Sequence, residues 1–284
     1  MSNKEHKKYP SLPDNLNISD LDDNNSLKKM IFLIGENKNV LDFGCASGYL
    51  ANLLQKRGCQ VTGLEINAEM AEMARKYCEE VFVCDLDFDS LKDMLGERKF
   101  DVAVFGDVLE HLRDPWRVLA ATKDFLNPGG FIVASIPNIA HGAIRLALLE
   151  GNFNYMPLGI LDNTHLRFFT RQTVEELLEN TGYFIHQIDY TKVPVFQENP
   201  LIPLVKRENF ARETIDKIQQ DKNQDILQFI IKAFPSNVDN KYLALKEKYE
   251  ILIKESQATQ TQLQSQLESA QTQLESAQTQ LETT

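Results

Sequence analysis

From residue 27 to residue 235, short apolar runs alternate with stretches in which apolar residues recur at helical spacing. Val40-Leu41-Asp42-Phe43 runs into Gly44-Cys45-Ala46-Ser47-Gly48, and Gln60-Val61-Thr62-Gly63-Leu64-Glu65 ends on an acid. Near-continuous apolar runs of this length read as strands buried on both faces of a parallel sheet. Residues 81–84, 100–105 and 131–136 repeat the pattern, the last stopped by Pro137. Residues 184–193 and 225–233 are rich in β-branched and aromatic side chains, which makes them the sixth and seventh strands. Helical spacing predicts helices over 27–34, 50–56, 67–77, 115–126, 173–180 and 208–219. Their ends carry the expected signals: Asn25 or Ser26 and Asn67 as N-caps, and Gly35, Asn127-Pro128-Gly129-Gly130 and Gly182 as stops. Strand and helix in alternation predict an α/β fold, a doubly wound Rossmann-like sheet.

The glycine turn after the first strand narrows the ligand. Gly44 and Gly48 are expected to let the backbone approach a bound molecule, since neither has a Cβ. Glu65, 21 residues after Gly44, ends the second strand where it can accept hydrogen bonds from both hydroxyls of a ribose. A dinucleotide site wants G-x-G-x-x-G, whereas this turn reads G-x-A-x-G with Asp42 before it. An acid there repels phosphate but suits a cationic amine and a sulfonium, as in S-adenosylmethionine (SAM). At these residues the chain resembles the class I SAM-dependent methyltransferases, and the resemblance runs from about residue 40 to residue 235. It implies a seven-stranded sheet with an antiparallel hairpin of strands six and seven at one edge. It also implies that residues 1–38, a loose polar arm and a helix, cover the cofactor; for the first ten residues a frayed terminus is the alternative. The residues it assigns to the cofactor are Asp42, Gly44, Ala46, Gly48, Glu65, Ile66, Asp85, Leu86, Gly106 and Asp107. In the family an acid at Asp85 bonds the adenine amino group; the alternative for Asp85 is a cap for the next turn.

Composition removes several function classes. The net charge of −11 argues against a nucleic-acid surface. No stretch approaches the about 20 apolar residues of a membrane span, and the polar, lysine-bearing start has no apolar signal core, so a cytoplasmic protein is expected. Cys45, Cys59, Cys78 and Cys84 lack C-x-x-C spacing and read as reduced packing residues.

Methyl transfer to a hydroxyl needs a group that takes the proton or lowers the hydroxyl pKa. Asp107-Val108-Leu109-Glu110-His111 follows the fourth strand, and a helical turn there presents Asp107, Glu110 and His111 on one face. The insertion over 138–170, expected as a substrate lid, adds His141, Asn163 and His165 with Phe153, Tyr155, Met156 and Phe168. Two readings of catalysis follow. Asp107, Glu110, His111 and His165 hold a divalent metal, magnesium or manganese, under a vicinal diol or catechol. Alternatively His111 or His165 is a general base without metal, while Asp107 lines the methionine end of the cofactor. A plainer reading leaves Glu110 and His111 as cap and packing groups.

Asp107-x-x-Glu110-His111 with the segment His165 to Arg171 resembles the metal motif of small-RNA terminal 2′-O-methyltransferases, and also the ubiquinone-pathway O-methyltransferases. The chain departs from the RNA enzymes in its aspartate at the first position and its lack of a basic surface. Ile136-Pro137-Asn138-Ile139-Ala140-His141, Gly151 to Tyr155 and Leu161 to Arg171 resemble methyltransferases of bacterial polysaccharide and O-antigen biosynthesis. Aromatics interleaved with Asn, Asp and His suit a sugar, and Arg145, Arg167 and Arg171 suit a phosphate or sugar acid, or else surface ion pairs. The expected activity is O-methylation of a saccharide hydroxyl. The alternatives are a quinone or phenol acceptor, or a cofactor-binding scaffold that recruits glycan enzymes.

Beyond residue 237 the pattern changes. Ser265-Gln266-Leu267-Glu268-Ser269-Ala270-Gln271 repeats from Thr272 and again from Thr279. Leu267, Leu274 and Leu281 share one heptad position and Ala270 and Ala277 another, with Tyr249, Ile253 and Leu263 extending the seam backwards. Residues 238–284 are expected to be a coiled coil joining copies of the chain or a partner enzyme; the alternative is a low-complexity helical tail that does neither. The domain proper is then 39–237.

Overall fold

The computed structural model describes residues 16–282. The arm expected over the first residues lies outside them as far as residue 15. Seven strands form one sheet: β1 (Asn39–Phe43), β2 (Gln60–Glu65), β3 (Glu80–Val83), β4 (Phe100–Gly106), β5 (Leu126–Pro137), β6 (Tyr183–Lys192) and β7 (Ile226–Pro235). Their order is β3-β2-β1-β4-β5-β7-β6, parallel through β5, with β7 antiparallel to both β5 and β6. The expected seven-stranded sheet with an antiparallel edge pair is therefore borne out. Because β7 runs backwards, Gln228 near its start pairs with Pro137 at the end of β5. Residues from β7 thus reach the carboxyl edge where β1, β2 and β4 deliver Phe43, Glu65 and Gly106.

Helices α1 (Ser26–Ile34), α2 (Tyr49–Gln55), α3 (Ala68–Ala74), α4 (Leu91–Leu95), α5 (Pro115–Thr122), α6 (Gly142–Leu149), α7 (Arg171–Asn180) and α8 (Arg212–Gln219) connect the strands. Asn25 caps α1 by accepting from the Lys28 amide at 3.1 Å, and Asn67 caps α3. The core centres on β1 and β4, where Phe43 and Phe105 stack at 4.3 Å and both are fully buried. Each such side chain stabilises the fold by about 2–3 kcal/mol. The four cysteines are buried free thiols.

Several boundaries differ from the sequence reading. The predicted helix over 115–126 stops at Thr122, and β5 begins at Leu126, because Leu126 pairs with Phe100 before a bulge resets the register at Val102. The helix predicted from residue 208 begins at Arg212, after a separate 3-10 turn over Arg207–Asn209. Inside the insertion, Gly142-Ala143-Ile144-Arg145-Leu146-Ala147 enters helix α6 and packs into a second apolar cluster. It is apolar around most of its circumference, so periodicity gave no sign of it.

The chain divides into two compact units, Met1–Ser236 and Asn237–Thr284. The second is a single helix, α9 (Val238–Glu282), on which Tyr249, Ile253, Leu263 and Leu267 are exposed. Among the described residues no helix is long and apolar enough to cross a membrane.

Candidate active site

The turn after β1 is built by backbone conformation. Gly44 and Gly48 sit at φ +66° and +79°, where L side chains are strained. A Cβ on Gly44 would lie 2.8 Å from Val108 Cγ2, and one on Gly48 would lie 2.9 Å from the Ala74 Cα. The protein's own neighbours thus already exclude side chains at both positions, a constraint that stands beside the expected approach of a ligand to this backbone. Between them Ala46 also adopts a positive φ, +47°, a strained conformation of the kind that gathers at ligand turns.

Glu65 ties this turn to the next helix. Its Oε2 accepts the Ala46 amide and its Oε1 accepts the Asn67 amide, both at 2.8 Å. A carboxylate oxygen has two acceptor sites, so each retains a position suited to a hydroxyl donor. Asp42 is buried beneath the turn; burial, reinforced by the charge of Glu65, pushes its pKa up to about 8. Next to Glu65, Ile66 is 64% exposed and offers an apolar surface at the strand end. Asp85 Oδ1 accepts the Asp87 amide at 2.9 Å, so the turn-capping role has a visible contact. The carbonyl of Leu86 accepts from Arg117 at 2.5 Å. Gly106 lies under α1, where Met30 Cε stands 3.4 Å from the place of a Cβ.

Asp107 departs from the predicted helical face. At φ +55° it precedes, rather than joins, the 3-10 turn over Leu109–His111. Its Oδ1 accepts from Ser135 Oγ of β5 and from Gln228 Nε2 of β7, both at 2.7 Å. Burial raises its pKa to about 6, against the two hydrogen bonds, which favour the ionised form. Asp107 lies outside the group of three whose ligand atoms approach one another within 4.8 Å, although it lines the same cavity.

Glu110, His111 and His165 do come together: one ligand-type atom from each lies within 4.8 Å of the other two. The imidazole centroids are 4.7 Å apart at 71°, and Glu110 is 1% exposed. Main-chain bonds stitch the insertion to the turn, since the Glu110 carbonyl accepts the amides of Leu166 and Arg167 at 2.8 and 2.9 Å. His165 Nδ1 lies 3.0 Å from the Ile160 carbonyl and must donate to it, which leaves the ring lone pair on Nε2. His111 Nδ1 lies 3.2 Å from the Thr164 carbonyl, while Thr164 Oγ1 donates to Asp162 Oδ1 at 2.7 Å. Both rings are therefore oriented through Nδ1.

A cavity of about 260 Å³ joins these groups at the carboxyl edge of the sheet. Asp107, Glu110, His111 and His165 line it together with Asp162 and Gln228. Ser135 and Gln228 were missed by sequence reasoning, although each is a polar residue inside an otherwise apolar strand. His141 is not part of the site: buried at the start of α6, it bonds the Val193 carbonyl and accepts the Ala143 amide, and burial lowers its pKa. Arg145 and Arg171 pair with Asp221 and Glu175 at 2.6 and 2.9 Å. Phe168 and Phe153 continue outward from His165 in edge-to-face contacts at 6.3 and 5.7 Å.

A family model described as a methyltransferase domain matches residues 23–188. The chain belongs to this methyltransferase family. Its match covers every element from α1 to β4, the turn with Glu110 and His111, and the insertion with His165. Ubiquinone biosynthesis O-methyltransferase of Hydrogenovibrio crunogenus is 27% identical over 157 residues, 54% of this chain and 64% of that protein. The protein of the same name in Actinobacillus pleuropneumoniae is 31% identical over 123 residues, 41% of this chain and 53% of that one. The methyltransferase chain thus spans less than two thirds of either relative. Among solved structures, a SAM-dependent methyltransferase from Archaeoglobus fulgidus superposes with a TM-score of 0.53 at 19% identity, covering 73% of this chain and 90% of its own. At that identity the likeness concerns the methyltransferase fold alone.

Proposed function

We propose that the protein is a cytoplasmic SAM-dependent O-methyltransferase whose acceptor is a saccharide hydroxyl. The observation that carries the reading is the convergence of Glu110, His111 and His165 with Asp107 on one cavity at the carboxyl edge of the sheet. SAM, once bound, supplies a methyl group on a sulfonium open to in-line displacement. The chain's own residues do the rest. Glu65 would hold the ribose hydroxyls on its remaining acceptor sites, and Ile66 and Leu86 would hold the adenine. Asp42 and Asp107 face the cationic end of the cofactor. His165 Nε2 receives the proton of the acceptor hydroxyl, and the Ile160 carbonyl holds the ring in the tautomer that can do so. The adjacent carboxylate of Glu110 stabilises the imidazolium that results.

Two imidazoles and one carboxylate also fit a divalent cation, and these donors favour manganese over magnesium, which prefers oxygen ligands. Such an ion, held by Glu110, His111 and His165 without Asp107, would lower the acceptor hydroxyl pKa.

Ser26, Asp162 and Gln228 add polar groups to the cavity wall, and the aromatics beyond His165 offer faces for a sugar ring. A phenol or quinone acceptor is the second reading, favoured by the names of the two relatives. The exposed heptad residues of α9 support homo-oligomerisation, or recruitment of a partner enzyme, through a coiled coil. Methyl transfer from labelled SAM to glycan extracts and to catechol, each with and without chelator, tests the reading. Release of S-adenosylhomocysteine with glycan supports it. Label on catechol alone selects the second reading, and full activity in chelator removes the metal. No transfer to either acceptor contradicts the function.

A further inference from the structure

Three arginines lie on the segments that carry the histidine pair and on the helix that follows, α5. Arg113 follows His111 by two residues, Arg117 lies four residues further on in the first turn of α5, and Arg167 follows His165 by two residues. All three are exposed, yet each is held in place. The Arg113 guanidinium lies 5.4 Å from the Phe88 ring centre, and that of Arg167 lies 5.6 Å from the Trp116 ring. Arg117 donates to the Leu86 carbonyl, and Arg167 Nη2 to the Arg113 carbonyl, so the three belong to one patch. The acids on the same segments are occupied by main-chain donors. Asp87 accepts the Arg113 amide at 2.9 and 3.2 Å, and Asp114 accepts the Arg117 amide at 3.0 Å. Among the described residues none of these three guanidiniums is ion-paired with a carboxylate, whereas Arg145 and Arg171 are.

We propose that this patch binds a phosphate or diphosphate carried by the acceptor, so that the ring methylated beside His165 arrives as a phosphorylated saccharide. The proposal rests on the acceptor site described above, but not on methyl transfer having been observed. A guanidinium fork matches phosphate oxygens in paired hydrogen bonds, and stacking on an aromatic ring leaves its N–H edge available. Because the stems are already held, little side-chain freedom is lost on binding. The arginine patch and the histidines share one stretch of backbone: the Arg167 amide bonds the Glu110 carbonyl at 2.9 Å, one residue from His111. In a chain of net charge −11 a long polyanion is repelled, whereas a small anion can be held at short range by paired guanidinium N–H donors.

The test is a titration of the full chain with inorganic pyrophosphate and with glucose 1-phosphate, without SAM, followed by 31P NMR and calorimetry. Saturable one-site binding is expected, weakened about tenfold by Arg167→Ala and by Arg113→Ala, and unchanged by Arg145→Ala. Should Arg167→Ala fail to fold, Arg167→Lys keeps charge and stem but loses the fork, and a several-fold weakening is expected. Equal weakening by Arg145→Ala would mean a general charge effect and overturn the proposal, as would no binding by the wild type. Glucuronate competing as well as glucose 1-phosphate would overturn the phosphate assignment. Capture by phosphatidylglycerol vesicles without pyrophosphate binding would replace it with a lipid surface. Since S-adenosylhomocysteine binding is measured separately on the same protein, failure of the methyltransferase reading and failure of the arginine patch are distinguishable.

Discussion

Ser135 Oγ lies 2.7 Å from Asp107 Oδ1 and 2.9 Å from the Asp107 amide. One hydroxyl from β5 therefore holds both ends of a residue that occupies a left-handed conformation. Ser135→Ala removes both bonds, and since that hydroxyl favours the ionised carboxyl, the Asp107 pKa rises from about 6. The acid limb of the kcat/KM profile moves to higher pH, and stability falls by about 1–2 kcal/mol. A pH–rate series on wild type and variant checks this; coincident profiles would remove Asp107 from the reaction.

Asp42 makes a pH-dependent prediction of defined sign. Its unfolded carboxyl ionises near 3.8 and the folded one near 8, so between those values the folded chain holds the extra proton. The stability it contributes is complete below the lower value and is lost as pH rises through 8. Thermal melts of Asp42→Asn should therefore gain on the wild type toward alkaline pH, by up to a few kcal/mol. A cationic ligand expels the proton, so wild-type SAM affinity should climb between pH 6 and 8, by at most about tenfold per unit. Flat affinity over that range would place Asp42 away from the ligand's charge.

Two glycines separate packing from backbone strain. Gly48→Ala puts a methyl 2.9 Å from the Ala74 Cα at φ +79°, whereas Gly96→Ala at φ +59° meets nothing within 4 Å. The first should cost about 3 kcal/mol and the second about 1 kcal/mol. Calorimetric Tm values should fall by roughly 10 °C and about 3 °C. Equal losses would mean that the contact between the turn and α3 carries no weight.

How much of this was legible beforehand depends on how local each feature is. The seven strands themselves, the helix caps at Asn25 and Asn67 and the place of Glu65 at a strand end follow from patterns within a few residues, and the fold bears them out; the antiparallel edge pair came from the family resemblance. The placing of Asp107 does not: a left-handed residue breaks the i, i+3, i+4 rule that grouped it with Glu110 and His111, and nothing in its neighbours announces φ +55°. Gln228 lies 121 residues from the carboxylate it bonds, and only the reversed direction of β7 brings it there. Conversely, His141 has the residue type of a catalytic group and serves as a helix cap.

The tail makes its own prediction. Removing residues 237–284, or replacing the exposed Leu263 and Leu267 with lysine, should lower the oligomer mass while leaving SAM affinity intact. Sedimentation velocity reads this directly, and an unchanged mass would deny α9 any part in assembly.

His165 acts on the acceptor rather than on the cofactor, and no residue matters more to the proposed chemistry. Labelled methyl transfer and SAM titration on His165→Ala measure the two together. The predicted result is turnover lowered by about a hundredfold or more with SAM affinity unchanged. Turnover equal to wild type, or a loss explained wholly by weaker SAM binding, would contradict it.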